Sequence, residues 1–175
     1  MPDIDYDNFL KIALYKLDSN FRRLDADERS KAKQEFAEVV AVNSTENPVR
    51  TYSTVGTRSD AELMLVQDSK TVDTFHCLSR DINKSFLGSY LEQTYSYLSI
   101  RRKSRYKHGG GASKLKDNYK YMVVYPMTKT RLWYERSMQE RQEMMNDHFR
   151  VGKNYPMVKI NTSYAFGLDD TEFVL

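Results

Sequence analysis

The constraint that most narrows the fold is an internal echo. Gly56, Asp60, Glu62 and the apolar triplet Leu63-Met64-Leu65 return as Gly167, Asp170, Glu172 and Phe173-Val174-Leu175, with the turn one residue shorter. Glu28-Arg29 and Glu140-Arg141 likewise open two helical segments. Self-similarity of this kind calls for two copies of one supersecondary arrangement.

The first copy reads in order. Phe9 to Leu17 is a short apolar strand candidate. Asp25 with Glu28 marks a helix start, after which Ala32, Phe36, Val39 and Val40 fall on one helical face. Asn43 to Pro48 ends that helix through its turn residues. Val49 to Val55 and Glu62 to Gln67 are strand candidates joined by GTRSD. Thr71 to Tyr90 fits a second helix with Val72, Phe75, Leu78, Ser79, Ile82 and Phe86 on one side, and the aromatic run Thr94 to Ile100 a fourth strand. The order is β-α-β-β-α-β, a ferredoxin-like unit.

Three consecutive glycines break the composition between Tyr106 and Asn118, as a linker or mobile loop does. A strand over Tyr121 to Tyr125 then restarts the unit, with Tyr125-Pro126-Met127 as its exit. Ser137 and Glu140 form a capping box for a helix running to about Phe149, stopped by Gly152. Lys159 to Phe166 and Thr171 to Leu175 are strands on either side of GLDD. The expected organisation is an N-terminal ferredoxin-like half over 1–105, a glycine-rich loop over 106–118 and a C-terminal half over 119–175. The second copy stops short of its last helix and strand, which leaves an edge to be covered.

Several function classes drop out. No apolar run reaches the roughly 18 residues of a membrane span, and the acidic start MPDIDYDNFLKIAL is unlike an export signal. A single cysteine, Cys77, suits a reducing, cytoplasmic setting. The net charge of +3 does not mark a nucleic-acid binder. Arg101, Arg102, Lys103, Arg105 and Lys107 form a basic run that reads first as a solvated loop, or as a cationic rim for an anionic ligand. Beside the aromatic TYSYLSI strand it also suggests an RNA-binding sheet, but the RNA-recognition octamer is absent. His76, His108 and Cys77 have no zinc-ligand spacing, and Asp169-Asp170 reads as a turn. Phosphate-loop, serine-nucleophile and dinucleotide patterns are missing. His148 continues an apolar stripe with Met138 and Met145, so it is either a half-buried histidine at a helix C-terminus or an axial metal ligand.

Taken together, Y-P-M, then W-Y, then a helix reading E-R-x-x-x-M-x-x-H, then G-K-x-Y and a strand into G-L-D-D-x-E-F resemble the chlorite dismutase-like family, which includes the coprohaem decarboxylases. The resemblance implies a dimeric α/β barrel, an α+β fold of two ferredoxin-like halves, here with the second incomplete. It implies haem, as protohaem or coprohaem, in the C-terminal half, and homo-oligomeric rings, often pentamers. The family's axial histidine matches His148, so the resemblance favours the ligand over the capping reading. The Y-P-M form implies a coprohaem decarboxylase-like oxidoreductase using peroxide, with Tyr125 carrying the radical chemistry and Met127 packing on the porphyrin. About thirteen residues beyond its axial histidine the family carries an arginine in chlorite-degrading members and a glutamine in decarboxylases. That spacing lands on Asn161 here, beside Ile160. Without an arginine to retain the leaving anion, efficient chlorite dismutation is not expected. The alternatives are a chlorite-degrading or weakly peroxidatic haem protein, or a non-catalytic haem-binding scaffold.

Overall fold

The computed structural model describes residues 6–107, 109 and 119–175. His108 and the body of the glycine-rich loop lie outside the described residues. The chain forms two compact units, one of Asn8–Leu98 and one of Ser99–Leu175 with Tyr6 and Asp7.

In the first unit β1 (Tyr6–Leu17), α1 (Ala26–Asn43), β2 (Val49–Ser53), β3 (Leu63–Ser69), α2 (Asp73–Lys84) and β4 (Leu91–Arg102, whose last residues belong to the second unit) follow one another. The strand order is β2-β3-β1-β4, with β3 antiparallel to both β1 and β2. This is the ferredoxin-like arrangement expected from the sequence. Asp25 caps α1 by accepting from the Glu28 amide at 2.8 Å. The helix then buries Ala32 and Phe36 in a cluster with Ala13, Tyr15, Leu65, Leu78 and Ile82. Ala13 faces Leu65 and Tyr15 faces Leu63 across the β1–β3 ladder on the side of this cluster, while Ile12 and Val66, and Leu14 and Met64, pair and are buried on the other side.

The single helix expected over Thr71 to Tyr90 is two. α2 ends at Lys84, Ser85 turns extended and bonds the Ile82 carbonyl, and a 3-10 turn covers Leu87–Tyr90. Gly88 permits this break, because a Cβ there would stand 1.8 Å from the Ile82 carbonyl oxygen. Val72 and Phe86, expected on the apolar side, therefore fall outside the helix and are exposed. The aromatic strand is longer than its alternation suggested and takes in Arg101 and Arg102. The solvated-loop reading of that basic run is thus corrected for its first two residues: Arg101 is 4% exposed, and Arg102 lays its guanidinium 5.1 Å from the Tyr164 ring centre.

In the second unit β5 (Pro126–Met127), α3 (Arg131–Glu135), α4 (Met138–Gly152), β6 (Ser163–Tyr164) and β7 (Phe173–Val174) repeat the scheme, with strand order β4-β6-β7-β5. The expected strand at Tyr121 to Tyr125 is displaced. The ladder begins where Tyr125 and Leu175 exchange both backbone bonds at 3.0 Å, and Pro126 and Met127 then face Val174 and Phe173. Proline is accommodated within the ladder because β5 is the edge strand of this order, where a missing N–H leaves no partner unsatisfied. The strand expected over Lys159 to Phe166 shrinks to two residues. Backbone bonds from Tyr155 to Gly152 and from Val158 to Tyr155 keep the preceding segment turning. Thr171 to Leu175 likewise contributes only Phe173–Val174 as strand. The Ser137–Glu140 capping box forms with both bonds in place, but α4 runs through Gly152 to a cap at Lys153.

The echo in the sequence extends to the hydrogen bonds. The amide of Leu17 donates to Glu62 Oε2 and that of Lys129 to Glu172 Oε2, each at 2.8 Å. The amide of Thr54 donates to the Glu62 carbonyl and that of Ala165 to the Glu172 carbonyl. Gly56 and Gly167, at φ +77° and +72°, make the turns between these bonds, a conformation costly for any residue with a Cβ.

Candidate functional site

The repeat gives a register for comparing the units. Leu17 and Lys129 are 112 residues apart, and so are the helix caps Asp25 and Ser137. At that spacing Ala13 corresponds to Tyr125, Tyr15 to Met127, Phe21 to Trp133, Arg22 to Tyr134, Arg29 to Arg141 and Phe36 to His148. In the first unit Ala13, Tyr15, Phe21 and Phe36 all lie buried in the core cluster. The second has a phenol, a thioether, an indole and an imidazole at the matching positions.

Tyr125 and Met127 lie two residues apart and so on one face of their own strand. Phe173, opposite Met127, stacks edge-on against Tyr164 and Phe166 at 5.4 and 5.1 Å between ring centres. α4 holds His148. Its N-terminal turn is fixed by the capping box, and its side is tied to the segment after β4 by the Lys107 amide donating to Gln142 Oε1 at 2.9 Å. No residue of α4 is buried, whereas α1 buries two. His148 is exposed where Phe36 is 8% exposed, and its ring touches that of Phe149. Tyr125 is 48% exposed. Asn161 is half-buried, two residues ahead of β6. Tyr125, Met127 and His148 share no hydrogen bond among the described residues; the register brings Tyr125 and Met127 together and sets His148 on the helix that corresponds to their cover.

A second group was missed by the sequence reading. Lys129 follows β5, and its ammonium sits 3.7 Å from the Trp133 ring centre and 5.7 and 5.6 Å from those of Tyr106 and Phe173. Burial among these rings holds its pKa below the ordinary lysine value, against the opposing pull of Glu172. Tyr134 donates to Glu172 Oε2 at 2.6 Å. Burial first, and that carboxylate second, push its phenol well above the usual tyrosine range, so it stays a donor at neutral pH. Arg141, on α4, has a buried Nε without a hydrogen-bond partner. The W-Y pair, the glutamate of G-L-D-D-x-E-F and the repeated E-R pair that contains Arg141 were the sequence signals for this group, though they gave these residues no role; nothing pointed to Lys129. No cluster of three or more metal-ligating side chains occurs among the described residues, and none of their helices is long and apolar enough to cross a membrane.

Chlorite dismutase of Candidatus Nitrospira defluvii in complex with imidazole superposes with a TM-score of 0.85 at 19% identity, over 97% of this chain and 75% of that one. A variant of the same enzyme in complex with cyanide gives 0.84 at 19% identity, over 99% and 79%. Another variant gives 0.85 at 22%, over 97% and 75%. At these identities the likeness establishes the fold. Residues 29–175 match the chlorite dismutase family itself, a span that begins within α1 and takes in α4 and all but the first of the seven strands, and the chain therefore belongs to that family.

Proposed function

We propose that this protein binds haem in its C-terminal unit and acts as a peroxide-dependent oxidoreductase of the coprohaem decarboxylase type. The observation that carries the reading is the replacement of the core residue Phe36 by His148 at the corresponding position of a helix that buries none of its residues. The residues fit the group. An imidazole without a hydrogen bond among the described residues is free to donate a nitrogen lone pair to iron. A polarisable thioether at Met127 and the aromatic face of Tyr164 and Phe173 suit a flat apolar macrocycle. An orphaned guanidinium nitrogen at Arg141 suits its carboxylates.

Haem, when bound, supplies the iron at which peroxide is reduced. His148 would hold it from the helix side. Tyr125, a half-exposed phenol, would give up its phenolic hydrogen atom and then take one from a propionate arm, so relaying one oxidising equivalent to it. Met127, two residues along the same face, would pack against the ring. Asn161, neutral, can offer an amide hydrogen bond to a ligand on the far side but no charge to hold an anion. The matched enzymes are chlorite dismutases, which favours chlorite degradation as the second reading. The absence of an arginine at the Asn161 spacing weighs against it.

Titration of the chain with protohaem and coprohaem, followed by the Soret band, tests the reading. Saturable binding is expected in the wild type, with the band altered to that of a site without its axial ligand in His148→Ala. Peroxide then converts coprohaem in the wild type and stalls in Tyr125→Phe. Dioxygen released rapidly from chlorite would replace the decarboxylase assignment by the second reading. Absence of saturable binding of either porphyrin would remove both.

A further inference from the structure

Resting on the haem reading above, we infer that Arg141 is a carboxylate-binding residue of the porphyrin site, engaging a propionate from the same helix face that presents His148. The two residues are seven apart on α4. Seven residues return a helix to nearly the same face, roughly 10.5 Å further along its axis. That interval is on the scale that separates the centre of a porphyrin from the carboxylate ends of its propionate arms.

The internal comparison shows what this arginine does when no ligand is involved. Arg29, its counterpart, donates from Nη1 to the carbonyls of Arg22 and Leu24 at 2.8 and 2.9 Å and so ties the start of α1 to the preceding turn. Arg141 is placed by the same kind of cap, with Ser137 where Asp25 stands, yet its Nε is buried and has no acceptor. A buried donor on a guanidinium left unsatisfied is costly, by about 1–3 kcal/mol or more for a charged group. Such an atom calls for an explanation, and an incoming ligand is one.

The surroundings say what kind of partner. Lys129 stands beside Glu172, and Arg141 is near enough to Lys129 and Tyr134 to act on both, so two cations crowd a place that holds one carboxylate. Glu172 is already engaged, accepting at Oε2 from the Lys129 amide and from the Tyr134 hydroxyl. An acceptor with a negative charge and two oxygens matches the fork of a guanidinium and the excess positive charge together. A porphyrin propionate is that acceptor.

The test separates this inference from the reading beneath it. Coprohaem and its tetramethyl ester, which keeps the ring and loses the carboxylate charges, are titrated into the wild type, Arg141→Ala and Arg141→Lys. A charge-assisted hydrogen bond lost on mutation leads one to expect coprohaem to bind about ten-fold or more weakly to Arg141→Ala. Ester binding should be equal in wild type and variant, and Arg141→Lys should recover part of the coprohaem affinity. Far-UV melting of the free chains guards against a variant that fails to fold. Equal weakening of acid and ester, or coprohaem binding indifferent to Arg141, overturns the inference while leaving haem binding intact. Absence of a saturable Soret shift with wild type overturns the haem reading and this inference with it.

Discussion

Glu62 and Glu172 occupy the same place in the two units and perform the same backbone task, Glu62 accepting the amide of the last residue of β1 and Glu172 one just past β5. They differ in what else they hold. Arg22 comes within 3.9 Å of Glu62, a long surface ion pair of little energetic weight. Tyr134 replaces it in the second unit and makes a short bond to Glu172 instead. A carboxylate that accepts from a phenol penalises the phenolate, and burial adds to it, so Tyr134 is held above the ordinary value of 10.0. The sign follows. A raised folded-state pKa gives stability that is fully present below the unfolded value and is lost as pH rises above it. In the wild type, stability should therefore fall relative to Tyr134→Phe as the pH passes 10, while the two keep a constant gap from neutrality to about pH 9. Urea midpoints measured across that range check it; curves that stay parallel through pH 11 would mean that Tyr134 titrates as an ordinary surface tyrosine.

At the scale of elements, α4 depends on its ends more than on its faces. With no buried residue of its own, it lacks the packing that usually stabilises a helix in a domain. The Ser137–Glu140 box then carries a larger share of its stability. Ser137→Ala removes the acceptor of the Glu140 amide at 3.2 Å and the hydroxyl that donates to the Glu140 carboxylate, leaving the return bond from the Ser137 amide, for an expected cost of about 1 kcal/mol. Amide exchange should accelerate through the first turns of α4, and the matching change Asp25→Ala should leave α1 better protected, because Ala32 and Phe36 still anchor it. Equal loosening of both helices would mean that α4 is packed as α1 is. This dependence on local chemistry explains what could be read in advance. Both helix caps, the face of α1 and the ferredoxin-like order were legible, since each is written in short-range spacing. The β5 ladder was not: Pro126 reads as a strand exit unless it is known that β5 is an edge. The break after Lys84 turns on Gly88 meeting a carbonyl, which no periodicity reports. At the site, His148, Tyr125, Met127 and Asn161 were named from the sequence by resemblance. Lys129 and Arg141 were given no role, because a cation among rings and an orphaned guanidinium exist only once the chain is folded.

Across the molecule, the duplicated plan is used in two ways. The first unit closes its helices onto its sheet, with Phe36, Leu78, Ile82 and Leu65 all nearly inaccessible. The second leaves large apolar side chains in the open, Tyr121 and Val123 at 77% and Met157 at 70% among them. If the second unit stays open for the ligand proposed above, it cannot also supply the core that holds the fold, and the first unit is expected to carry the stability. Corresponding positions give a direct comparison. Phe36→Ala empties a filled core and should cost about 3–5 kcal/mol. His148→Ala, at the same position of the second unit, removes an exposed ring and should change the stability of the ligand-free chain by no more than about 0.5 kcal/mol. Urea denaturation of both variants without porphyrin measures the contrast. Comparable losses at the two positions would show that the second helix already has a core beneath it and leaves no room for a ligand there. A large loss at Phe36 alone would show that duplication freed one copy to exchange packing for chemistry.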